Sequence, residues 1–130
     1  MATLTDFCAL EVTLDFQVVG QTGTGFRLDV PFSGTATSPN WEGERPVVGV
    51  DHVTVGSDGV QSLDIRGRIG TGKETIAYRA IGRGTDAGPG ELFVFETADE
   101  SMAHLNSAIG VGIGTIDGST LSLAVSLVER

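Results

Sequence analysis

Apolar and polar residues alternate along the ten residues from Phe7 to Phe16. One face of this segment carries Cys8, Leu10, Val12, Leu14 and Phe16, and the other carries Ala9, Glu11, Thr13 and Asp15. A period of two is that of a β-strand with one buried face, whereas a helix would repeat every 3.6 residues. The segment therefore predicts a strand, and any fold proposed for the chain has to give it a sheet.

The rest of the chain continues in the same way. Further strands are predicted at Phe26–Phe32, Val47–Val55 and Leu92–Thr97, a loop at Gly20–Gly25 (GQTGTG), and turns at Ser38-Pro39-Asn40 and Asp58-Gly59. One short helix is predicted at Ala98–Asn106, with Asp99 and Glu100 at its start, where the helix dipole favours acidic side chains. The pattern predicts an all-β fold: a single antiparallel barrel of about eight strands, with one short helix before the last hairpin, forming one domain over residues 1–130.

A two-residue turn at Gly72-Lys73 predicts the register of one hairpin. This turn places Ile69 opposite Ile76, Gly67 opposite Tyr78, and Ile65 opposite Ala80. The predicted arrangement gives one apolar face, on which the Tyr78 ring fills the space that Gly67 leaves. The other face is polar, and it places Arg66 directly opposite Arg79.

The last hairpin, with a predicted turn at Asp117-Gly118, has no charged face. The turn sets Gly114, Gly112, Gly110 and Ala108 opposite Leu121, Leu123, Val125 and Leu127, while Ile113, Val111 and Ile109 fall opposite Ser122, Ala124 and Ser126. A strand pair that has no charged residue on either face has to be covered by other protein surface on both faces. We therefore expect the core on one side and a second copy of the chain on the other, which makes a homodimer.

Charge and cysteine content narrow the classes of function. The net charge is −9 and Lys73 is the only lysine, so we expect neither nucleic acid nor an anionic membrane as a partner. The single cysteine, Cys8, has no internal disulfide partner, and no apolar leader follows Met1, so a cytoplasmic location is expected. The spacing of the two histidines and the cysteine does not predict a zinc site, and the glycines of the last hairpin lie within a strand rather than before a helix. We expect no metal and no cofactor.

Three segments resemble a known family of small proteins, DUF3237, also called UPF0311. They read DHVTVGSDGVQSLDIRGRI, ETIAYRAIGRG and FETADESMAHLNSAIGVGIGTIDG. The resemblance implies a barrel of the allene-oxide-cyclase-like kind, often dimeric, without a single established activity; similar barrels include cofactor-free cyclases and isomerases of apolar small molecules. Positions shared with the family pattern include Asp51, Asp64, Arg66, the Phe95-Glu96-Thr97 stretch and Asn106. The chain departs from the pattern at His52 and His104, which stand where the family usually has large aromatic residues.

The predicted catalytic residues are the acids and bases that could line such a barrel: Asp51, His52, Asp64 and His104. Asp51 and His52 are neighbours on a strand, so only one of them readily points inward, and alternation does not decide which. Asp64 would be a useful proton donor or acceptor if its face turned inward and lost solvent. In the alternative interpretation this polar face is a solvated exterior and the histidines are structural or exposed.

The predicted substrate-binding residues are Trp41, Arg66, Tyr78, Arg79, Glu96 and Asn106. Trp41 is either a lid over the barrel mouth or a loop anchor. The predicted function is a small-molecule-binding barrel with an apolar ligand, acting as a cofactor-independent isomerase, cyclase or lyase. Two alternatives stay open at this point: a non-catalytic metabolite-binding module, and a dimeric structural protein whose interior is filled by side chains.

Overall fold

Nine antiparallel strands form one closed sheet in the computed structural model, which describes residues 2–130. The strands are β1 Thr3–Leu14, β2 Gln17–Thr22, β3 Gly25–Thr37, β4 Arg45–Val55, β5 Gln61–Ile69, β6 Ile76–Thr85, β7 Gly88–Thr97, β8 Ile109–Asp117 and β9 Thr120–Glu129. They follow the order β1-β9-β8-β7-β6-β5-β4-β3-β2, and β1 also pairs with β3. That pairing closes eight strands into a barrel and leaves β2 as an extra strand on β3. The predicted all-β barrel is confirmed.

The alternation of β1 places its apolar face in the core, as predicted. Cys8, Leu10 and Val12 are buried there. Phe7 is buried as well, since the register with β9 shifts between Asp6 and Cys8, and such a bulge lets two successive side chains point the same way. Phe16, predicted to share this face, lies beyond the end of the strand and is half exposed.

Strand β2 extends into the region predicted as a glycine loop, since its last three residues, 20–22, lie within Gly20–Gly25. Residues Gln17–Thr22 pair with the start of β3, and β3 runs through Pro31 to Thr37 instead of ending near that proline. Pro31 has no backbone N–H to donate, and its carbonyl accepts from the Asp15 N–H (2.9 Å) in the break between β1 and β2. The proline is tolerated because that break needs no ladder hydrogen bond from it.

The register predicted for β5 and β6 is confirmed at all three apolar pairs. Ile69 faces Ile76, Gly67 faces Tyr78, and Ile65 faces Ala80. The connection is longer than the predicted two-residue turn, since residues 70–75 contain a 3₁₀ turn at Gly72–Glu74. A Cβ added to Gly67 would lie 2.5 Å from Tyr78 Cζ, so the tyrosine ring rests directly on the glycine.

The register predicted for the last hairpin is wrong by two residues. Gly114 faces Leu123 and Gly112 faces Val125, because the turn is made by Gly118-Ser119, where Gly118 takes a φ of +62° that favours glycine. A shift of two preserves which side chains point inward. The glycine face therefore still lines the core, and the uncharged face with Ile109, Val111 and Ile113 lies outside.

The helix before this hairpin is present at Glu100–Ser107, as a 3₁₀ helix rather than a regular α-helix. Asp99 caps it by accepting hydrogen bonds from the backbone N–H (3.0 Å) and the hydroxyl (2.7 Å) of Ser101. Within residues 2–130, none of the helices has the length and apolar character that crossing a membrane requires.

The two ends of the barrel differ. At one end, Met102 and Leu105 of the 3₁₀ helix are buried against the core, together with the Phe7 and Phe95 rings, whose centroids lie 5.5 Å apart. The opposite end carries the turns that join β4 to β5, β6 to β7, and β8 to β9. This second end is the open one, and it holds the candidate site.

Candidate active site

A small pocket of about 80 Å³ lies at the open end of the barrel. It is lined mainly by apolar side chains and glycines, and by two carboxylic acids, Asp51 and Glu91. The lining residues are Leu14, Phe16, Val30, Asp51, Val53, Gln61, Leu63, Gly84, Thr85, Gly88, Pro89, Glu91, Ile116 and Leu121. Two acids in a mainly apolar wall, to which Gln61 and Thr85 also contribute polar groups, make this pocket the strongest candidate for chemistry.

Asp51 points into the barrel, on the same face of β4 as the buried residues Val47 and Val53. Its Oδ1 accepts a hydrogen bond from the backbone N–H of Asp64 (3.1 Å). Burial raises the pKa of Asp51 from 3.8 to about 6, although the Asp64 hydrogen bond and the nearby His52 both act to lower it. The choice that alternation left open is thus settled: Asp51 faces the interior and His52 faces outward.

Glu91 is the most deeply buried charged residue of the pocket, with 6% of its surface exposed. Its neighbours across both adjacent strands are glycines, Gly82 on β6 and Gly112 on β8, which leave its side chain room inside the barrel. Burial, followed by Coulombic repulsion from Asp51, raises the pKa of Glu91 from 4.5 to about 8. None of the side chains or N–H groups described in residues 2–130 forms a hydrogen bond or ion pair with its carboxyl group.

Sequence reasoning missed Glu91, because the strand was predicted to begin at Leu92. The signal was present in the alternation of the strand. Glu91, Phe93 and Phe95 share one face, and a face that buries two phenylalanines also carries the glutamate inward.

Tyr78, predicted to bind substrate, is packed into the core and does not line the pocket. Its ring centroid lies 5.3 Å from that of Phe93. Burial raises the pKa of its hydroxyl, with a further contribution from the charge of Glu91. Tyr78 therefore remains protonated and supports the wall behind the two acids.

Five of the predicted site residues lie on the outer surface of the barrel, namely His52, Asp64, Arg66, Arg79 and Glu96. His52 Nδ1 lies 2.8 Å from Asp29 Oδ1 on the neighbouring strand. Arg66 and Arg79 face each other as predicted, and with Glu96 they line an outer groove of about 360 Å³. The inward orientation considered for this polar face is therefore wrong, and the solvated exterior is the observed arrangement.

Trp41, His104 and Asn106 lie at the closed end, away from the acids. Trp41 packs edge-on against Phe7 (6.0 Å between centroids), and its Nε1 donates to the Ala36 carbonyl (3.3 Å), so it anchors the β3–β4 loop rather than covering the pocket. Asn106 accepts from the Thr97 N–H (2.8 Å) and donates to the Thr97 carbonyl (3.0 Å), which ties the 3₁₀ helix to β7. His104 is exposed on that helix.

Two other sites of potential chemistry are not formed. Burial raises the pKa of the Cys8 thiol to about 12, which keeps it protonated and unreactive near neutral pH. Anywhere from Ala2 to Arg130, no three His, Cys, Asp or Glu side chains are grouped so that they could hold a metal ion. Of the four predicted catalytic residues, Asp51 alone lines the pocket, and the structure adds Glu91.

Solved structures with the same fold come from distant sequences. A protein of unknown function from Clostridium acetobutylicum matches with a TM-score of 0.87 at 19% identity, over 99% of this chain and 100% of its own. A β-barrel-like protein from Acinetobacter baumannii matches with a TM-score of 0.87 at 19% identity, over 99% and 97%. An enzyme from Penicillium herquei matches with a TM-score of 0.75 at 17% identity, over 98% and 95%.

At these identities the likeness establishes the fold alone. No protein-family model matches the chain, and no curated protein sequence is similar to it.

Proposed function

We propose that this chain binds an apolar small molecule and catalyses a cofactor-independent proton transfer on it, as an isomerase, cyclase or lyase. Asp51 and Glu91 are the residues that move the proton. The observation that carries the proposal is the pair itself: two carboxylic acids facing one small apolar pocket, with their pKa values raised to different extents.

The two pKa values divide the roles of the acids. With values of about 6 and about 8, the pair holds close to one proton at neutral pH, and Glu91 carries most of it. The Asp51 carboxylate then serves as the general base and the Glu91 carboxylic acid as the proton donor, in the same pocket and at the same pH. Pairs of acids whose environments separate their pKa values are a recurring basis for acid–base catalysis.

The geometry suits the isomerisation of a carbonyl compound. Asp51 takes a proton from the carbon next to the carbonyl group, while Glu91 hydrogen-bonds or protonates the carbonyl oxygen and so stabilises the charge that develops there. In a β,γ-unsaturated ketone, Asp51 then returns its proton to the γ-carbon while Glu91 takes back the proton from the oxygen, so the double bond moves with no net gain or loss of atoms. The apolar wall strengthens these interactions because it excludes water.

The experiment is hydrogen exchange into a simple ketone. Acetophenone is incubated with the protein in D₂O, and NMR follows the replacement of its methyl protons by deuterium. We expect the wild-type protein to accelerate exchange, and Asp51→Asn and Glu91→Gln each to lower the rate by about 10²-fold or more. The matched control is Glu96→Gln, since it changes an exposed acid on the outer face and should leave the rate unchanged.

Two non-catalytic candidates stay open, a binding module and a dimeric structural protein, and the small volume of the pocket favours the structural protein. Catalytic and binding pockets commonly enclose about 300–1,000 Å³, whereas this one encloses about 80 Å³. Saturable binding of acetophenone without any acceleration of hydrogen exchange would support the binding module and contradict the catalytic role. Equal exchange rates in the wild type and in both pocket variants, Asp51→Asn and Glu91→Gln, would also contradict the catalytic role.

Membership of the DUF3237 family and a cytoplasmic location stay predictions. The likeness to the Penicillium enzyme supports a catalytic role through the shared fold only.

A further inference from the structure

The charge of the pocket restricts what can enter it. Its titratable groups are Asp51 and Glu91, and among the lining residues of the described chain there is no lysine, arginine or histidine. His52, the basic residue nearest to Asp51 in sequence, lies outside the barrel in contact with Asp29. A bound carboxylate or phosphate would bury another negative charge without a counter-ion, which is costly in an apolar site.

Glu91 indicates what the ligand must supply. Its side chain is more than nine-tenths buried and lines the pocket, yet no group in the described part of the chain hydrogen-bonds its carboxyl. The carboxyl group of Glu91 is largely removed from solvent within the pocket, so a ligand that hydrogen-bonds it gains that interaction on binding. A carbonyl oxygen accepts a hydrogen bond from the protonated form of this acid.

The size and rim of the pocket indicate the shape of the ligand. An apolar cavity of about 150 Å³ holds benzene, so a pocket of about 80 Å³ encloses only the carbonyl group and the atoms attached to it. Two large apolar side chains, Phe16 and Ile116, line its mouth and are 52% and 46% exposed. The remaining apolar body of the ligand would cover these two side chains.

We propose that the ligand class of this pocket is an uncharged carbonyl compound whose apolar body rests on Phe16 and Ile116, and that organic anions are rejected. This inference rests on the site of the proposed function and specifies its substrate.

The test uses three probes that share one phenyl ring: acetophenone (uncharged), benzoate (an anion) and benzylammonium (a cation). Binding is measured near neutral pH by ¹H–¹⁵N chemical-shift titration of the wild-type protein. We expect acetophenone to bind about tenfold more tightly than benzoate, with a dissociation constant in about the millimolar range for a ligand of this size. The shifts should centre on Val53, Leu63 and Leu121, which line the pocket.

Two variants separate the parts of the inference. Phe16→Ala should weaken acetophenone binding about threefold to tenfold, whereas Val18→Ala, which shortens an exposed side chain outside the pocket lining, should not change it. The double variant Asp51→Asn/Glu91→Gln removes both ionisable groups and should reduce the preference for acetophenone over benzoate to about threefold or less.

The inference is overturned if benzoate or benzylammonium binds most tightly, if none of the probes binds, or if the shifts lie on the outer face. Binding and turnover fail independently: acetophenone binding without hydrogen exchange contradicts the proposed catalysis and leaves the ligand class standing.

Discussion

At the scale of single residues, the two buried acids make the stability of the protein depend on pH. Both Asp51 and Glu91 bind protons more tightly in the folded chain than in the unfolded chain, since their pKa values rise from 3.8 to about 6 and from 4.5 to about 8. The folded state therefore holds more protons than the unfolded state between these limits. The contribution of these two groups to the stability of the folded state is greatest below about pH 4. This contribution declines as the pH rises through about 6, the pKa of Asp51, and about 8, the pKa of Glu91.

Replacement of Glu91 by glutamine removes the larger part of this effect. The amide keeps the shape of the protonated acid and does not ionise, so Glu91→Gln should be more stable than the wild type at pH 8.5 and close to it at pH 5. Each pKa unit corresponds to about 1.4 kcal/mol, so we expect a difference of a few kcal/mol at the higher pH. The measurement is the free energy of unfolding in urea across this pH range.

Glu96 provides the matched control, because it lies on the same strand with its side chain on the exposed outer face. Glu96→Gln should leave the pH profile of the wild type unchanged. If Glu91→Gln and Glu96→Gln gave the same dependence of the free energy of unfolding on pH, Glu91 would not be the buried acid that causes this dependence.

At the scale of elements, the β5–β6 hairpin depends on one glycine for its packing. A Cβ on Gly67 would come within 2.5–2.8 Å of the Tyr78 ring, and Tyr78 is itself held against Phe93. Gly67→Ala should therefore destabilise the protein by about 1–3 kcal/mol, which is typical of an overpacked core. Gly23→Ala is the control, since nothing lies within 4 Å of its added Cβ.

The measurement is the urea midpoint of both variants at one pH. We expect Gly23→Ala to stay within about 0.5 kcal/mol of the wild type, as surface substitutions do. Equal losses in the two variants would assign the effect to the glycine backbone rather than to the contact with Tyr78.

The elements also show what the sequence could and could not predict. Alternation predicts which side of a strand faces the core, because that depends only on a period of two. It does not distinguish turns that differ in register by two residues, so Asp117-Gly118 and Gly118-Ser119 sorted the side chains of the last hairpin equally well, and the backbone of Gly118 decided between them. Strand β2 was missed because Gly20 and the glycines that follow the strand suggest a loop, although Gly20 lies where the pairing of β2 with β3 shifts register.

The candidate site was harder to predict than the fold. Asp51 was identified by its residue type, but its orientation depended on which face of β4 turns toward the barrel interior. Glu91 was overlooked because a strand recognised by its apolar residues is cut short at a charged one. Arg66 and Arg79 were predicted to bind substrate because two arginines directly opposite each other are unfavourable within a sheet. The pair is tolerated here because both side chains reach solvent.

At the scale of the whole molecule, one side of the barrel is mainly apolar over parts of four adjacent strands, and two arginines border it: Arg79 lies opposite Val94, and Arg83 lines the same groove as Ile81 and Leu92. We name this surface the apolar face; its large side chains are Ile81, Leu92, Val94, Ile109 and Ile113, each between 42% and 65% exposed. They are neighbours in the sheet, since Ile81 pairs with Leu92, Leu92 with Val111, and Val94 with Ile109. Together these five side chains expose on the order of 500 Å² of apolar surface, at the upper end for a monomer and more than half of the roughly 800 Å² that each partner buries in a standard interface.

A second copy of the chain is the occupant that this face fits best. In a symmetric dimer, the apolar face of one copy packs against the apolar face of the other. The uncharged residues Ser122, Ala124 and Ser126 on β9 extend this contact, and they add no like charges to an interface between chains of net charge −9. We therefore expect light scattering after gel filtration to give twice the 13.5 kDa mass of the chain.

Ile113→Asp places a charge on the apolar face and should yield a folded monomer that still binds acetophenone. Val18→Asp, at a valine equally exposed on β2, should remain a dimer; a monomeric wild type, or an Ile113→Asp variant that stays dimeric, would refute this assembly.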